Sequence, residues 1–441
     1  MALSGIQIYK MLPKTNCKEC GFPTCLAFAM KLAAKQVELS ECPYVSDESK
    51  AQLAESSAPP IRLVSIQADG MEVKAGNETV LFRHEKTFNN LPGLFVRVRS
   101  SSNLEEIKDT VSRTDSYNVN YVGMDLSVDG FAVEADSDEN FENTVKVVRE
   151  NTKRPLILIG NQSALESALT NLEGEKPLIF SANKDNWESM ADTAKKFDVS
   201  LAVTGDSLDE LADLTEKLKE KGCEDLVLDL GSEKLGKNLA KSTQVRRLAL
   251  KSNFRALGFP TIFFAHGDNG FDAVKAAHAI SKYSGFIVLD RFEPELFYSL
   301  LVLRQNIYTD PQKPIQVQPG IYEINSPKPD SPVLVTTNFS ITYFSVANEV
   351  EGSGMPAWLL VTDAEGMSVL TAWAAGKFDS ERIAKSVKEF GVADKVSTKQ
   401  IILPGHVAVL SGEVEEELPG WEIKVGPREA VDIPSFLKQA L

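Results

Sequence analysis

Cysteine and histidine are scarce in this chain of 441 residues, which holds five cysteines and four histidines. Most of the chain therefore lacks the side chains from which zinc sites and reactive thiols are built. Four of the five cysteines nevertheless lie close together in the sequence, at Cys17, Cys20, Cys25 and Cys42, and only Cys223 follows them. The amino-terminal segment is where we expect a metal centre.

Net positive charge and long apolar runs are also missing. The chain has 62 acidic and 47 basic residues, a formal charge of -15, whereas nucleic acids and anionic membranes are bound by clustered Lys and Arg. No apolar run approaches the roughly twenty residues that span a bilayer, and the amino terminus has no cleavable hydrophobic core. We expect a cytoplasmic protein that binds other proteins, but neither nucleic acid nor membrane.

The spacing of the first three cysteines, CxxCxxxxC, favours a four-iron cluster. Three thiolates within nine residues can bind one face of such a cluster, since a short turn such as Gly21-Phe22-Pro23 lets the backbone curl around it. Cys42 then follows a predicted helix from Leu26 to Leu39. Zinc, which more usually takes paired CxxC motifs or histidines, and disulfides remain as alternatives. The isolated Cys223 is predicted to be a buried small hydrophobe.

The middle of the chain predicts a parallel sheet. A linker rich in Ser, Glu and Pro occupies about 46–60, and short apolar runs then alternate with helix-like segments such as Glu210 to Lys221, which Gly222 closes. This alternation is most economically a β/α barrel. The runs are Leu94 to Val98, Leu156 to Gly160, Pro177 to Phe180, Leu201 to Thr204, Leu226 to Leu230, Thr261 to Ala265 and Phe286 to Leu289.

Polar residues follow several of these predicted strands, where a barrel has its catalytic face. They have two interpretations: an active site, or turn residues needed for their backbone angles. Because the region shows no paired carboxylates and no nucleophile elbow, turn residues are the favoured interpretation. The residues are Asn161, Asn183, Thr204 with Asp206, Asp229, and His266 with Asp268.

Prolines between 308 and 332 mark a second break, and a region of ordinary domain size follows. We predict three domains, covering residues 1–57, 58–325 and 326–441. A helix through Ile383, Val387 and Phe390, ending at Gly391, is predicted in the third. Its predicted strands are Trp358 to Thr362, Ser368 to Thr371, Gln400 to Leu403, Val407 to Leu410 and Glu422 to Val425.

Small residues and hydroxyls are concentrated in two stretches of this third region, 336–342 and 366–377. Such residues suit a flat, bulky ligand, because small side chains allow close approach and hydroxyls satisfy its polar edge. Residues of this kind are more often simple packing and turn residues, so composition alone is a weak indication.

The cysteine motif together with TTNFSITYF at 336–344, SVLTAWAAGKF at 368–378 and GWEIKVGPREA at 420–430 resembles the large subunit of the corrinoid iron-sulfur protein, a family of the reductive acetyl-CoA pathway of anaerobes. The resemblance runs essentially end to end. It implies an α/β multidomain fold, with an amino-terminal domain holding a 4Fe-4S cluster, a central TIM barrel and a carboxy-terminal α/β domain holding a cobamide.

The resemblance also implies a function and partners. The cobamide would accept a methyl group from methyltetrahydrofolate through a separate methyltransferase and deliver it to acetyl-CoA synthase/CO dehydrogenase. The cluster would return Co(II) to Co(I). The other implied partners are a small TIM-barrel subunit, forming a heterodimer, and a reductive activator.

The resemblance assigns the cluster to Cys17, Cys20, Cys25 and Cys42, and the cobamide to Thr336, Thr342, Gly366, Met367, Ser368, Val369, Thr371 and Ala430. A DxHxxG motif, whose histidine binds cobalt in many cobalamin domains, is missing, since Phe264 stands where the Asp of the nearest approach would be. We therefore expect a base-off cobamide, which is easier to reduce.

Two other functions are considered. The barrel could itself be a methyltransferase that binds methyltetrahydrofolate through Asn161, Asn183, Asp206 and Asp229 at its strand ends. The chain could also be a plain iron-sulfur electron carrier whose remaining domains are scaffolding.

Overall fold

The computed structural model of the chain describes residues 5–33, 37, 39–46, 49, 59–85, 88, 90–121, 124–136, 138–232, 234–267, 270–309 and 315–440. Most of the predicted linker at 46–60 and the proline-rich segment at 310–314 lie outside these residues. Two compact units are present, Met1–Tyr117 with Val128–Tyr308, and Asn118–Ser127 with Thr309–Leu441. No helix in the described part of the chain is long and apolar enough to span a bilayer.

Helices and strands alternate along most of the chain. The strands are β1 Val64–Ala68, β2 Met71–Ala75, β3 Gly93–Arg99, β4 Asn118–Tyr121, β5 Met124–Ser127, β6 Gly130–Glu134, β7 Leu156–Ile159, β8 Leu178–Ala182, β9 Ser200–Thr204, β10 Leu226–Asp229, β11 Thr261–Ala265, β12 Phe286–Leu289, β13 Gly320–Ile324, β14 Val333–Thr337, β15 Ala357–Thr362, β16 Gln400–Leu403 and β17 Glu422–Val425. The α-helices are α1 Gly5–Met11, α2 Cys25–Ala33, α3 Leu104–Asp115, α4 Asp138–Asn151, α5 Gln162–Leu169, α6 Trp187–Phe197, α7 Leu208–Glu220, α8 Leu235–Ser252, α9 Phe271–Ser281, α10 Pro294–Tyr308, α11 Ser340–Ser353, α12 Val369–Ala374, α13 Ser380–Glu389, α14 Val392–Lys395, α15 Ser411–Glu417 and α16 Ile433–Ala440.

The amino-terminal region has a small core of its own. Helices α1 and α2 pack together, and Ile8, Leu12 and Phe28 are buried between them and the residues that follow. The predicted helix from Leu26 to Leu39 begins one residue early, at Cys25, and its described part ends at Ala33. The core also contains Cys25 and Cys42, so the cysteine motif is built into the packing of this region.

Eight parallel strands close into a barrel in the order β3-β6-β7-β8-β9-β10-β11-β12, and a helix follows each of them, α3 to α10. This arrangement confirms the predicted TIM barrel. The strands are buried on both faces and therefore appear in the sequence as continuous apolar runs. Helix α7 is the amphipathic helix predicted at 210–221; the Ser207 side chain accepts the Glu210 N–H at its start, and Gly222, at φ +89, follows its end.

Strand β6 is the one barrel strand that the sequence analysis did not identify. It follows the antiparallel hairpin β4-β5, which is inserted between α3 and β6. The contacts of the hairpin, unlike those of the barrel strands around it, place it in the second unit. Tyr121 and Met124 there pack against a core cluster that contains Val317, Leu359 and Ile402.

The second unit is built on an open sheet in the order β13-β15-β14-β16-β17, in which only β13 is antiparallel to its neighbour. Successive residues of a strand point to opposite faces. Val333 and Val335 accordingly join the core on one face, while Leu334 joins the core on the other. Helices therefore cover both faces of the sheet.

Three predictions for this unit need correction. Residues 368–371 and 407–410 were predicted as strands, but they start α12 and form a 3₁₀ helix at Gly405–Leu410. A short apolar run cannot be assigned to strand or helix by periodicity alone. The predicted boundary at 325/326 also falls inside the unit, because β13 pairs with β15 along its whole length.

Candidate functional site

The four amino-terminal cysteines differ in exposure: Cys17 is exposed, Cys20 is half-buried, and Cys25 and Cys42 are buried. Cys25 begins α2, and its N–H donates to the Asn16 Oδ1 at 2.8 Å. Burial raises the pKa of the Cys42 thiol, and the charges of Cys20, Cys25 and Cys17 raise that pKa further. Cys20, Cys25 and Cys42 all pack in the core of this region, whereas Cys17 lies outside it.

The loop that carries Cys17 and Cys20 has an unusual backbone. Lys14, Asn16 and Lys18 have φ values of +61, +49 and +67, and Gly21 follows at +80. Alternation of left-handed residues turns successive N–H groups towards a common centre, an arrangement known from iron-sulfur sites. Within the described ranges no three His, Cys, Asp or Glu side chains are grouped so as to hold a metal ion.

A second candidate site lies at the carboxyl edge of the open sheet. The chain passes from β14 outwards to β15 and then returns across β14 to β16, so the connections leave β14 in opposite directions. Ligands of open parallel sheets bind at such a switch point, outside the carboxyl ends of the strands. The order of the strands therefore predicts a binding site between the ends of β14 and β16.

A cavity of about 350 Å³ is present at this point. Five of the eight residues predicted for the cobamide line it. They come from the end of β14, the first turn of α11, the start of α12 and the segment before α16, and they are Thr336, Thr342, Ser368, Val369 and Ala430. Residues from four separated segments of the sequence thus meet at one cavity.

The remaining three predicted residues lie beside the cavity without lining it. Gly366, at φ +72, donates its N–H to the Asn338 Oδ1 at 3.0 Å. Met367 packs against the core on one face of the sheet. The Thr371 hydroxyl lies 3.0 Å from the hydroxyl of Ser368, which does line the cavity. These residues shape the turn between β15 and α12.

Two neighbouring threonines at the end of β14 are fully buried, Thr336 and Thr337. Neither hydroxyl has a hydrogen-bond partner in the described structure, although a buried polar group without a partner costs about 1–3 kcal/mol. Only Thr336 lines the cavity. Of the two, Thr336 is therefore the candidate for contact with a ligand.

The mouth of the cavity is apolar. Ile341 and Leu370 line it, yet 65% and 46% of their surfaces are exposed. Val431, which follows the lining residue Ala430, is 68% exposed. Large apolar side chains grouped on a surface are typical of a binding site. The mouth therefore suits a ligand that is larger than the cavity and has apolar surface of its own.

The predicted site residues omitted a further part of the lining, contributed by the end of β16 with Pro404 and His406, and by 426–429 after β17. These segments touch through their backbones: a Cβ on Gly405 would lie 2.6 Å from the Gly426 oxygen. His406 is among the missed residues, and its Nε2 lies 3.8 Å from the Glu429 carboxylate. The signals in the sequence were the Pro404-Gly405-His406 turn and the GWEIKVGPREA stretch at 420–430, which contains Gly426 and Pro427.

The polar residues at the barrel strand ends are mostly turn residues, as favoured above. The Asn161 side chain accepts the Ala164 N–H at 3.0 Å and caps α5. The Asn183 side chain accepts the N–H groups of Asp185 and Asn186. Of the four residues considered for methyltetrahydrofolate, only Asp229 lines the barrel cavity. The four do not form a common site.

Taken together, the cysteine region, the barrel and the open sheet with its cavity define a multidomain cofactor-binding protein. The family model described as CO dehydrogenase/acetyl-CoA synthase delta subunit matches residues 63–437, and a model for an Fe-S cluster matches residues 12–44. The chain belongs to this family of CO dehydrogenase/acetyl-CoA synthase subunits and to its corrinoid/iron-sulfur protein large-subunit branch.

Two relatives show the extent of the similarity. The corrinoid/iron-sulfur protein large subunit of Moorella thermoacetica is 42% identical, and the match covers 100% of both chains. The acetyl-CoA decarbonylase/synthase complex subunit gamma of Archaeoglobus fulgidus is 34% identical over 99% of this chain and 98% of its own. The predicted resemblance is confirmed over the full length.

Among solved structures, the dihydropteroate synthase of Yersinia pestis matches 55% of this chain and 98% of its own length. It is 12% identical, with a TM-score of 0.39. This distant likeness carries no functional argument.

Proposed function

We propose that the chain carries a methyl group on a base-off cobamide and holds a 4Fe-4S cluster that keeps the cobamide active. The observation that carries the proposal is the cavity at the switch point of the open sheet, where five residues from three motifs converge. Membership of the family supports it, because the relatives are corrinoid/iron-sulfur and acetyl-CoA synthase subunits.

The residues present fit a cobamide. At about 350 Å³ the cavity is at the small end of small-molecule sites, so it takes only part of the ligand and leaves the rest across the exposed Ile341 and Leu370. The Thr336 hydroxyl would donate to or accept from a polar group of the ligand, and backbone turns at 404–406 and 426–430 would hold it in place. When bound, the cobamide supplies a cobalt that accepts a methyl from methyltetrahydrofolate and passes it to acetyl-CoA synthase.

The amino-terminal residues fit an iron-sulfur cluster. The region supplies four cysteine thiols, three of which pack in its core, and the Asn16 N–H donates to the Cys25 Sγ at 3.4 Å. When bound, the cluster supplies low-potential electrons that return Co(II) to Co(I).

The proposed partners are a small TIM-barrel subunit, a separate methyltetrahydrofolate methyltransferase, acetyl-CoA synthase/CO dehydrogenase and a reductive activator, all in the cytoplasm. The barrel is then a scaffold. Its strand-end residues Asn161 and Asn183 support this view, because their side chains are used in their own turns.

Metal analysis of anaerobically purified protein tests both cofactors. We expect one cobalt and four iron atoms per chain. Cys20→Ala should remove the iron and leave the cobalt, because the cysteines and the cavity belong to different units. Protein that contains zinc without iron and sulfide would contradict the cluster, and protein with iron but no cobalt would leave only an electron carrier.

The state of the cobamide is tested by electron paramagnetic resonance of Co(II). Although His406 lines the cavity, we expect no nitrogen splitting from an axial imidazole and an unchanged spectrum in His406→Ala and His266→Ala. Splitting that disappears in His406→Ala would overturn the base-off assignment.

Single-turnover methylation tests whether the chain itself or a separate methyltransferase catalyses the methyl transfer. The chain alone should not methylate its cobalt from methyltetrahydrofolate, and added methyltransferase should restore the reaction. Methylation by the chain alone, abolished by Asn161→Ala or Asp206→Ala, would instead make the barrel the enzyme.

A further inference from the structure

A second large cavity, of about 520 Å³, lies at the mouth of the barrel, at the carboxyl ends of its strands. Barrels bind their ligands at this end. None of the residues assigned above to the cluster or the cobamide lines it. The lining residues are Arg97, Glu134, Ile159, Phe180, Asp229, Leu230, Gly231, Ser232, Lys234, Lys237, Lys241, Phe264 and His266.

One wall of this cavity is a row of lysines. Lys234 precedes α8, and Lys237 and Lys241 lie within it, at spacings of three and four residues that place them on one helix face. None of the three forms an ion pair with a carboxylate in the described part of the chain. Like charges at these spacings repel one another, so an anion between them would stabilise the row.

The opposite wall is electrically balanced. Arg97 pairs with Glu134 at 3.4 Å and with Asp290, and Arg99 pairs with the same two carboxylates at 3.1 and 3.5 Å. Two cations therefore meet two anions. The lysine row is not neutralised from this side of the cavity.

The remaining carboxylate of the lining is Asp229. Its Oδ1 accepts the Gly231 N–H at 2.8 Å. Burial raises the pKa of Asp229, and the charge of Lys241 partly lowers it again. Three lysines thus face one carboxylate whose charged form is disfavoured. The described lining is positive, although the whole chain carries a charge of -15.

Part of the cavity wall is apolar. Phe180 and Phe264 meet edge to face, with ring centroids 4.9 Å apart, and Ile159 and Leu230 lie beside them in the lining. A purely inorganic ion would leave this surface unused. An organic skeleton that packs on it gains binding free energy by burying apolar surface.

We propose that the barrel mouth binds a small organic polyanion, a compound with at least two phosphate or carboxylate groups. Its anionic groups contact Lys234, Lys237 and Lys241, and its carbon skeleton packs on Phe180 and Phe264. The site is independent of the proposed cobamide cavity, so binding there should change neither the cobalt content nor the iron content.

Isothermal titration calorimetry of the full chain at low salt tests the proposal with three probes: pyrophosphate, citrate and benzene-1,3,5-tricarboxylate. We expect saturable binding of one probe per chain that weakens as salt is added. Pyrophosphate binding more tightly than citrate would identify phosphate groups as the ligand's anions. The aromatic tricarboxylate should bind more tightly than citrate because of the phenylalanine wall.

Lysine variants distinguish binding at this cavity from non-specific attraction of anions to the basic residues of the helix. Lys237→Gln with Lys241→Gln should weaken binding at least tenfold, since a hydrogen bond to a charged group contributes about 1.5–3 kcal/mol. Arg247→Gln with Lys251→Gln removes the same charge from the same helix at residues outside the lining and should change affinity less than twofold.

A third variant tests whether a negative charge in the cavity opposes binding of the anion. Within the described lining, Asp229 is the one carboxylate facing the lysines. Asp229→Asn should therefore tighten binding several-fold, which a purely structural role of Asp229 would not produce. Thermal unfolding checks that each variant folds. No saturable binding of any probe to the unaltered chain, or equal weakening by the two double variants, would overturn the proposal.

Discussion

The closed barrel and the open sheet place polar residues at the ends of parallel strands, but the two regions use them differently. In the barrel, Asn161 and Asn183 accept hydrogen bonds from the backbone of their own turns. In the open sheet, the Thr336 and Thr337 hydroxyls are fully buried and have no partner in the described structure. An unsatisfied polar residue at a strand end therefore indicates contact with a ligand only where it also lines a cavity, as Thr336 does and Thr337 does not.

The largest expected effect is at Gly405. A Cβ there would lie 2.6 Å from the Gly426 oxygen and 2.8 Å from the Pro427 carbonyl carbon, so Gly405→Val must separate the two segments that complete the cavity. We expect the cobalt content to fall more than tenfold and the barrel to remain folded, as measured by metal analysis and circular dichroism.

Gly412→Ala is the matched control, because nothing lies within 4 Å of a Cβ at this position in α15. It should keep its cobalt and gain a few tenths of a kcal/mol in helix stability. A Gly405→Val protein with full cobalt content would show that cobamide binding does not need the close approach of Gly405 to the Gly426 backbone. The difference proposed between the two regions would then be wrong at this position.

Replacement of each buried threonine of the open sheet by valine tests whether its hydroxyl costs stability and whether it contacts the ligand. Without cobamide, Thr336→Val and Thr337→Val should each raise the free energy of unfolding by about 1 kcal/mol, because a buried unpaired hydroxyl is removed. With cobamide, only Thr336→Val should lose affinity, by about fivefold, the equivalent of one hydrogen bond of about 1 kcal/mol.

Denaturant unfolding of the cobamide-free protein and equilibrium cobamide binding measure the two effects. Thr337 is the control here, because it is equally buried but does not line the cavity. Equal loss of affinity in both variants would show that the Thr336 hydroxyl does not contact the ligand.

A smaller effect is expected in the barrel. Asn161→Ala removes the cap of α5 and should lower the free energy of unfolding by about 1 kcal/mol, with no change in the rate of cobalt methylation by the added methyltransferase. Asp206→Ala is the comparison, since the described ion pair of Asp206, with Lys184 at 3.5 Å, is exposed and its loss should cost less than about 0.5 kcal/mol. A slower methylation rate in either variant would indicate that the barrel takes part in the methyl transfer.

The smallest expected effects concern stability, which depends on acidic pH through a barrel residue and on alkaline pH through an open-sheet residue. In the barrel, hydrogen bonds from Lys196, Gln162 and Thr193 lower the pKa of Glu166 to about 2; the stability that this contributes is present above the ordinary pKa of 4.5 and is lost as the pH falls towards 2. In the open-sheet unit, burial raises the pKa of Tyr322 to about 12. Its contribution is present below pH 10 and is lost as the pH rises towards 12.

Thermal unfolding across the pH range measures both contributions. Glu166→Gln should flatten the acid side of the profile, and Tyr322→Phe should flatten the alkaline side. A Glu166→Gln protein with an unchanged acid profile would show that these exposed hydrogen bonds are too weak to matter.

Most of the barrel could be predicted from sequence because its strands are buried on both faces. Leu156 to Ile159 and Phe286 to Leu289 appear as unbroken apolar runs for this reason. Strand β6 was missed although it is equally buried, because a hairpin of another unit precedes it where a βα repeat would place only a short loop.

The candidate site was predicted in part. Thr336, Thr342, Ser368, Val369 and Ala430 were named from motifs, and all line the cavity. The segments around Gly405 and Gly426 were missed because their contribution is a close backbone approach, which depends on the register of β16 beside β17. Composition carries no information about such an approach between distant segments.

The hairpin β4-β5 has a consequence for how the chain is made. It is translated after α3, whereas the other strands of its unit, β13 to β17, are translated only after the whole barrel sequence. Its packing residues Tyr121 and Met124 must wait for partners such as Leu359 and Ile402. The open-sheet unit therefore cannot mature until synthesis is nearly complete, and a carboxy-terminal fragment beginning at Thr309 would lack one of its own parts.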